Sequence, residues 1–161
     1  MKDLLPTLFD RLCDDAPRQT SEFPAAYTLT PDGLREILRR DLGFLLNTTH
    51  IAQTVDFTAF SVAASSGLNF GVPPLVGGPL DVSRPDRVEN FIRDAIRRFE
   101  PRLDPETIRV DFLTPDPKAN RGHAPLFELR AHIRAQPYPV EFTVQSAVDF
   151  ESGRITDLTR S

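Results

Sequence analysis

The stretch that most constrains this chain is Ser83 to Arg102, SRPDRVENFIRDAIRRFEPR, where an amphipathic pattern runs into a proline-centred stop. Val88, Phe91, Ile92, Ala95, Ile96 and Phe99 fall on one unbroken stripe at 3.6 residues per turn, so a helix here has a face that must be buried. Ser83 and Asp86 can satisfy orphan N–H groups of the first turn, and Pro85 removes a donor that would lack a partner there. At the far end Pro101 has no N–H for the ladder and turns Glu100 away from helical dihedrals, which stops the helix near Phe99. The chain then becomes strand-like at once. In Thr107 to Leu113, Ile108, Val110 and Phe112 share one face, with Arg109 and Asp111 on the other. Glu100, Pro101 and Arg102 therefore stand at a helix-to-strand corner. A charged pair flanking a proline there is either a local ion pair, contributing about 0–1 kcal/mol when exposed, or a rigid corner presenting a carboxylate and a guanidinium outward to a partner's charges.

The rest of the chain reads as one domain of 161 residues with an N-terminal extension. Residues 3–15 have helical spacing, with Leu4, Leu5, Leu8, Phe9, Leu12 and Cys13 on one side and Asp3, Asp10, Arg11 and Asp14 opposite. That stripe either packs on its own domain or docks on a partner. Residues 14–30, with two prolines and scattered polar side chains, read as a linker, dividing the chain into 1–29 and 30–161. A second helix is expected from Thr30 as N-cap and Pro31 at the first helical position to about Asn47. It turns Leu34, Ile37, Leu38, Leu42 and Leu45 inward and Arg35, Glu36, Arg39 and Arg40 outward. A loop over 47–55 and a short helix over 57–66, ended by Gly67 or Gly71, lead to the Pro/Gly-rich stretch Leu68–Pro79. This is expected to lie on the core through Leu68, Phe70 and Leu75.

After the strand at 107–113, residues 114–125 form a polar turn. Residues 126–135 and 140–150 then alternate apolar and polar, and Glu151 to Ser161 look mostly solvated. An α+β fold follows, a single domain with an antiparallel sheet of about three strands packed by amphipathic helices. The fifteen prolines imply short elements joined by stiff loops.

Little in the sequence suits catalysis. His50, His123 and His132 are expected at exposed positions, and none has a metal-ligand partner at helical or turn spacing. There is no Gly-x-Ser-x-Gly elbow, no Gly-Lys-Ser/Thr phosphate loop, and Cys13 falls on an apolar stripe. Glu36, Glu100 and Asp111, the formal candidates for a glycosidase pair, each have an arginine nearby in sequence and none sits in an apolar run. The net charge of -4 argues against a nucleic-acid surface. A lone cysteine suits a reducing compartment, and no run approaches the roughly 18 apolar residues of a membrane span.

Four stretches together resemble the TssE family of type VI secretion baseplates, related to the small wedge subunit of contractile phage tails. They are LLPTLFDRL (Leu4 to Leu12), REILRRDLGFLLNT (Arg35 to Thr48), LNFGVPPL (Leu68 to Leu75) and IRDAIRRFEPRL (Ile92 to Leu103). The later LFELRAHIRAQPYPVEF resembles the family's C-terminal strands. The resemblance implies a non-enzymatic assembly part without cofactor, metal, nucleic acid or small-molecule substrate. It also implies Glu100, Pro101 and Arg102 on the wedge core and a sheath growing from the subunit. Its partners would be other wedge subunits and contractile sheath subunits. Its place would be the cytoplasm, in an assembly docked at the inner membrane but not inserted in it. The equivalent part of a phage tail or extracellular injection particle is the alternative, and a peptidoglycan-cleaving enzyme a remote one. An edge strand offers unpaired N–H and C=O groups to an incoming strand, and residues 140–150 are expected to be that edge. Leu4, Leu5, Leu8 and Phe9 form the second candidate docking surface.

Overall fold

The computed structural model describes residues 7–12, 18, 29–74, 85–113, 126–135, 138–149 and 154–160. Helix α1, Leu8–Leu12, is the described part of the N-terminal stripe; Leu4, Leu5 and Cys13 lie outside the described residues, as does nearly all of the expected linker. Helix α2, Pro31–Leu46, begins where the Thr30 hydroxyl accepts the Gly33 N–H at 3.1 Å, with Pro31 in the first turn. It buries Leu34, Leu38, Leu42, Leu45 and Leu46, while Ile37, expected inward, is half-buried. A single turn, α3 (Ser61–Ala64), precedes α4, Pro85–Phe99. Helix α4 buries Val88, Ile92, Ala95 and Ile96. Its apolar stripe is wider than its buried face, because Phe91 is exposed and Phe99 half-buried.

Four strands, β1 (Arg109–Leu113), β2 (Leu126–Ile133), β3 (Val140–Asp149) and β4 (Arg154–Arg160), form an antiparallel meander in the order β1-β2-β3-β4. Alternation places Val110, Phe127, Leu129, Ala131, Ile133, Phe142, Val144, Val148 and Ile155 on a buried face, over which α4 contacts β1 and α2 contacts β3 and β4. The opposite face carries Arg109, Asp111, Glu128, Arg130, His132 and Glu141. The fourth strand comes from the stretch that reads as solvated. In RITDLTR the register shifts opposite Gln145 and Ala147, and this irregularity breaks the two-residue period that marks the other strands. One expectation falls with it. With β2 on one side and β4 on the other, residues 140–149 are interior, and the sheet edges are β1 and β4.

Residues 48–72 leave the body and return through a narrow neck. The Val72 N–H donates to the Thr48 carbonyl at 2.9 Å and the His50 N–H to the Val72 carbonyl at 3.1 Å. Gly71 crosses beside them at φ 121°. Inside the excursion the buried Asn69 carboxamide accepts the Ala52 N–H at 3.0 Å and donates to the Ala64 carbonyl at 2.9 Å, tying the two short turns together. Leu68, expected as an anchor, is exposed; Phe70 is half-buried against the core, and Leu75 lies outside the described residues. His50 and His132 are half-buried rather than exposed, and His123 lies outside the described residues, as does the turn at 114–125.

Candidate assembly interface

Backbone bonds hold the corner after α4 on both sides. Glu100 ends the helix with its N–H on the Ile96 carbonyl at 2.9 Å, and the Arg102 carbonyl accepts the Arg134 N–H at 2.8 Å beyond the end of β2. Leu103 is buried and bridges to Ile133. Side chains brace the same turn. Arg102 grips Glu100 in a two-pronged fork, Nε on Oε1 at 2.6 Å and Nη2 on Oε2, and the Arg102 N–H adds a third bond to Oε1 at 3.2 Å. Nη2 also donates to Asp41 Oδ2 on α2 at 2.7 Å, and Asp41 Oδ1 accepts from Arg40 Nε and Nη2 at 3.0 and 2.8 Å. Arg40 Nη1 continues to Asp10 of α1, whose carboxylate also holds the Thr7 hydroxyl, and the Arg40 guanidinium sits 5.2 Å from the Phe9 ring centroid. Alternating charges thus run from Glu100 through Arg102, Asp41 and Arg40 to Asp10.

Burial opposes the charged form of Arg102, but its bonds to Glu100 and Asp41 outweigh that and raise its pKa above the ordinary arginine value. Glu100 is only 5% exposed and both of its oxygens are occupied, so the corner does not present an open carboxylate. What it presents is Pro101, which is exposed, an Arg102 side chain 25% exposed, and a cleft of about 230 Å³. Asp41, Glu100 and Arg102 give that cleft its charge; Phe44, Leu45, Phe70 and Phe99 give it apolar walls. Phe70 meets Phe99 edge-on at 5.4 Å, and Phe44 stands 59% exposed at the rim. Asp41 and Phe44 did not stand out in the sequence. Their spacing of three on α2 was the available signal, since it puts an acid and an aromatic side by side on a helix.

Of the second candidate surface, Leu8 and Phe9 are exposed. The Asp10 carboxyl is held below the usual aspartate range, first by the Arg40 hydrogen bond and also by Thr7, against the opposing effect of burial. A depressed folded-state pKa contributes stability above the unfolded value of about 3.9 and loses it as pH falls through the folded value. We therefore expect α1 to detach on acidification below about pH 4 while the sheet stays formed. Amide exchange over residues 8–12 checks this. Equal protection at about pH 3 and about pH 6 would place the attachment in Phe9 packing instead.

The two sheet edges are each answered by a helix side chain. Glu89 of α4 accepts the Phe112 N–H of β1 at 3.0 Å. Asn47, at the end of α2, accepts the Ile155 N–H at 2.9 Å and donates to the Ile155 carbonyl at 3.0 Å, a carboxamide standing where a neighbouring strand's peptide would be. Asn47→Ala should remove about 1–3 kcal/mol, the two bonds to Ile155 and an exposed one from the same amide to the Gly43 carbonyl at 3.0 Å, and speed exchange of the Ile155 amide. An unchanged exchange rate there would show that the clamp contributes nothing in solution.

Among the described residues no group of three or more His, Cys, Asp or Glu is placed to hold a metal ion, and no helix is long and apolar enough to cross a membrane. No curated protein and no solved structure matches the chain. The family model of the baseplate wedge protein gp25 matches residues 32–138, a span that runs from α2 through the corner and the first two strands. The chain therefore belongs to the baseplate wedge protein gp25 family, a family of structural baseplate components.

Proposed function

We propose that this protein is a structural wedge part of a type VI secretion baseplate, that it binds the wedge core through the Glu100, Pro101 and Arg102 corner, and that it starts sheath polymerisation without catalysing a reaction. The observation that carries this reading is the division of labour at the corner. Glu100 is spent on fixing Arg102, Asp41 braces the same guanidinium from α2, and the fixed group borders a cleft with aromatic walls and an exposed Phe44. A partially desolvated arginine held beside aromatic side chains matches the residue types that anchor protein interfaces. For the sheath, strand addition on the β4 edge takes the place of addition on 140–150, and Leu8 and Phe9, with Leu4 and Leu5, supply a second docking surface. The partners are other wedge subunits and sheath subunits, in a cytoplasmic assembly at the inner membrane.

Capture of wedge subunits by the full chain tests this. Pro101→Glu alters an exposed residue, and Arg102→Lys keeps the charge but cannot reproduce the fork. Both should weaken capture at least about tenfold, the loss of one good interfacial contact, with melting of Pro101→Glu unchanged. Undiminished capture by both would make the corner purely structural.

A further inference from the structure

The 48–72 excursion differs in composition from the rest of the chain. From Thr48 to Pro79 the sequence holds one formally charged side chain, Asp56, where the chain as a whole is 26% charged. Even that carboxylate is turned on its own backbone, accepting the Thr58 N–H at 2.8 Å and the Thr58 hydroxyl. Ile51, Val55, Phe60, Val62 and Leu68 are all exposed, Val62 at 81% and Leu68 at 75%. Hydrogen bonds hold the unit in one shape. The buried Asn69 carboxamide binds the Ala52 and Ala64 backbone, the Ser66 hydroxyl accepts the Leu68 N–H at 3.3 Å, and the neck closes its base. A segment of this length has a radius of gyration of only about 7–8 Å, so its apolar side chains fall within the footprint of one interface. Together they expose on the order of 600 Å², the upper end for the largest apolar patch on a soluble monomer.

The lack of charge decides what such a surface accepts. The excursion has no Lys or Arg for anionic lipid headgroups and no ionic pattern with which to select a charged partner. An uncharged apolar surface is complementary to itself, because a two-fold axis can bring identical side chains together without opposing like charges. Two such patches bury on the order of 1,200 Å², which reaches the lower limit for a specific interface. We propose that the excursion tips of two copies of this chain pack against each other, forming an isologous dimer centred on Phe60, Val62 and Leu68. The contact uses neither Pro101 nor Arg102 and does not rest on the assembly reading.

Sedimentation velocity of the full chain, under reducing conditions and from about 5 to about 500 µM, measures this. A monomer–dimer equilibrium is expected with a Kd of about 10–100 µM, tightening as added salt screens the net charge of -4. Val62→Glu combined with Leu68→Glu alters two exposed positions, so it should weaken the dimer at least about tenfold while melting stays unchanged. Tyr138→Glu adds charge at an exposed position outside the excursion and should leave the Kd within about twofold. Fluorescently labelled double variant mixed with excess wild type tests the symmetry. An isologous contact leaves the variant monomeric, whereas recruitment at wild-type strength means that the tip seats elsewhere on its partner and overturns the proposal. A monomer throughout the range, or a dimer indifferent to the tip substitutions, also overturns it. A monomer that floats with phosphatidylserine vesicles, or that needs Val62 and Leu68 for wedge capture, would instead assign the tip to a lipid surface or to a wedge subunit.

Discussion

Gly71→Ala is expected to destabilise the protein by at least about 3 kcal/mol, because it combines a backbone conformation that side chains rarely adopt with a clash that has nowhere to go. At φ 121° a Cβ would stand 2.3 Å from the Thr48 carbonyl oxygen, 2.9 Å from its carbon and 3.0 Å from the His50 nitrogen. All three are backbone atoms, so no rotamer change relieves the contact. The neck can accommodate the methyl only by opening, and opening breaks the Val72-to-Thr48 and His50-to-Val72 bonds that close the 48–72 excursion. Phe70, one residue away, would move with it and disturb its edge-on contact with Phe99 in the wall of the corner cleft. Denaturant unfolding measures the loss. Gly67→Ala is the internal control, since its Cβ would meet nothing within 4 Å, and it should stay within about 0.5 kcal/mol of the parent. A Gly71→Ala loss below about 1 kcal/mol would mean the neck is looser than its hydrogen bonds indicate.

The same neck illustrates what the sequence could and could not disclose. Helix α4, its stop at Pro101 and the strand after it were legible because each depends on neighbouring residues: an apolar stripe, a missing N–H, a two-residue alternation. The N-cap at Thr30 was legible for the same reason. What stayed hidden was set by distant groups. Glu100 reads in sequence as an outward charge, yet it is buried because Asp41, far along the chain, braces the arginine that neutralises it. Residues 140–149 read as an edge until the bulged RITDLTR strand pairs beyond them. The Asn47 and Glu89 bonds to the sheet edges likewise join positions that no local pattern connects. The charged corner was therefore located by sequence, and of the two readings left open there the local ion pair is the one that forms, inverted from an exposed position to a buried one, with a proline and an aromatic cleft bordered by a half-buried arginine on the outside.

That inversion leads to the second large effect, at Arg102. Arg102→Met should cost about 3–5 kcal/mol, since it leaves the Glu100 carboxylate in a site only 5% exposed with a single backbone N–H in place of three donors. Replacing both members, Glu100→Gln with Arg102→Met, removes the stranded charge along with its partner, so the double variant should be more stable than Arg102→Met alone. A double-mutant cycle in denaturant separates these cases. If the two single losses simply add, the fork contributes no coupling and Glu100 does not exist to hold Arg102. If the double variant recovers stability, it becomes the clean reagent for function, a folded protein with the corner's charge deleted. Its capture of wedge subunits should then be lost, because the guanidinium that Glu100 and Asp41 fix beside Phe44 is gone while the aromatic cleft remains. Retained capture in that folded variant would instead move recognition to Phe44, Pro101 and the aromatic walls, leaving the buried ion pair as a brace for the turn between α4 and β1.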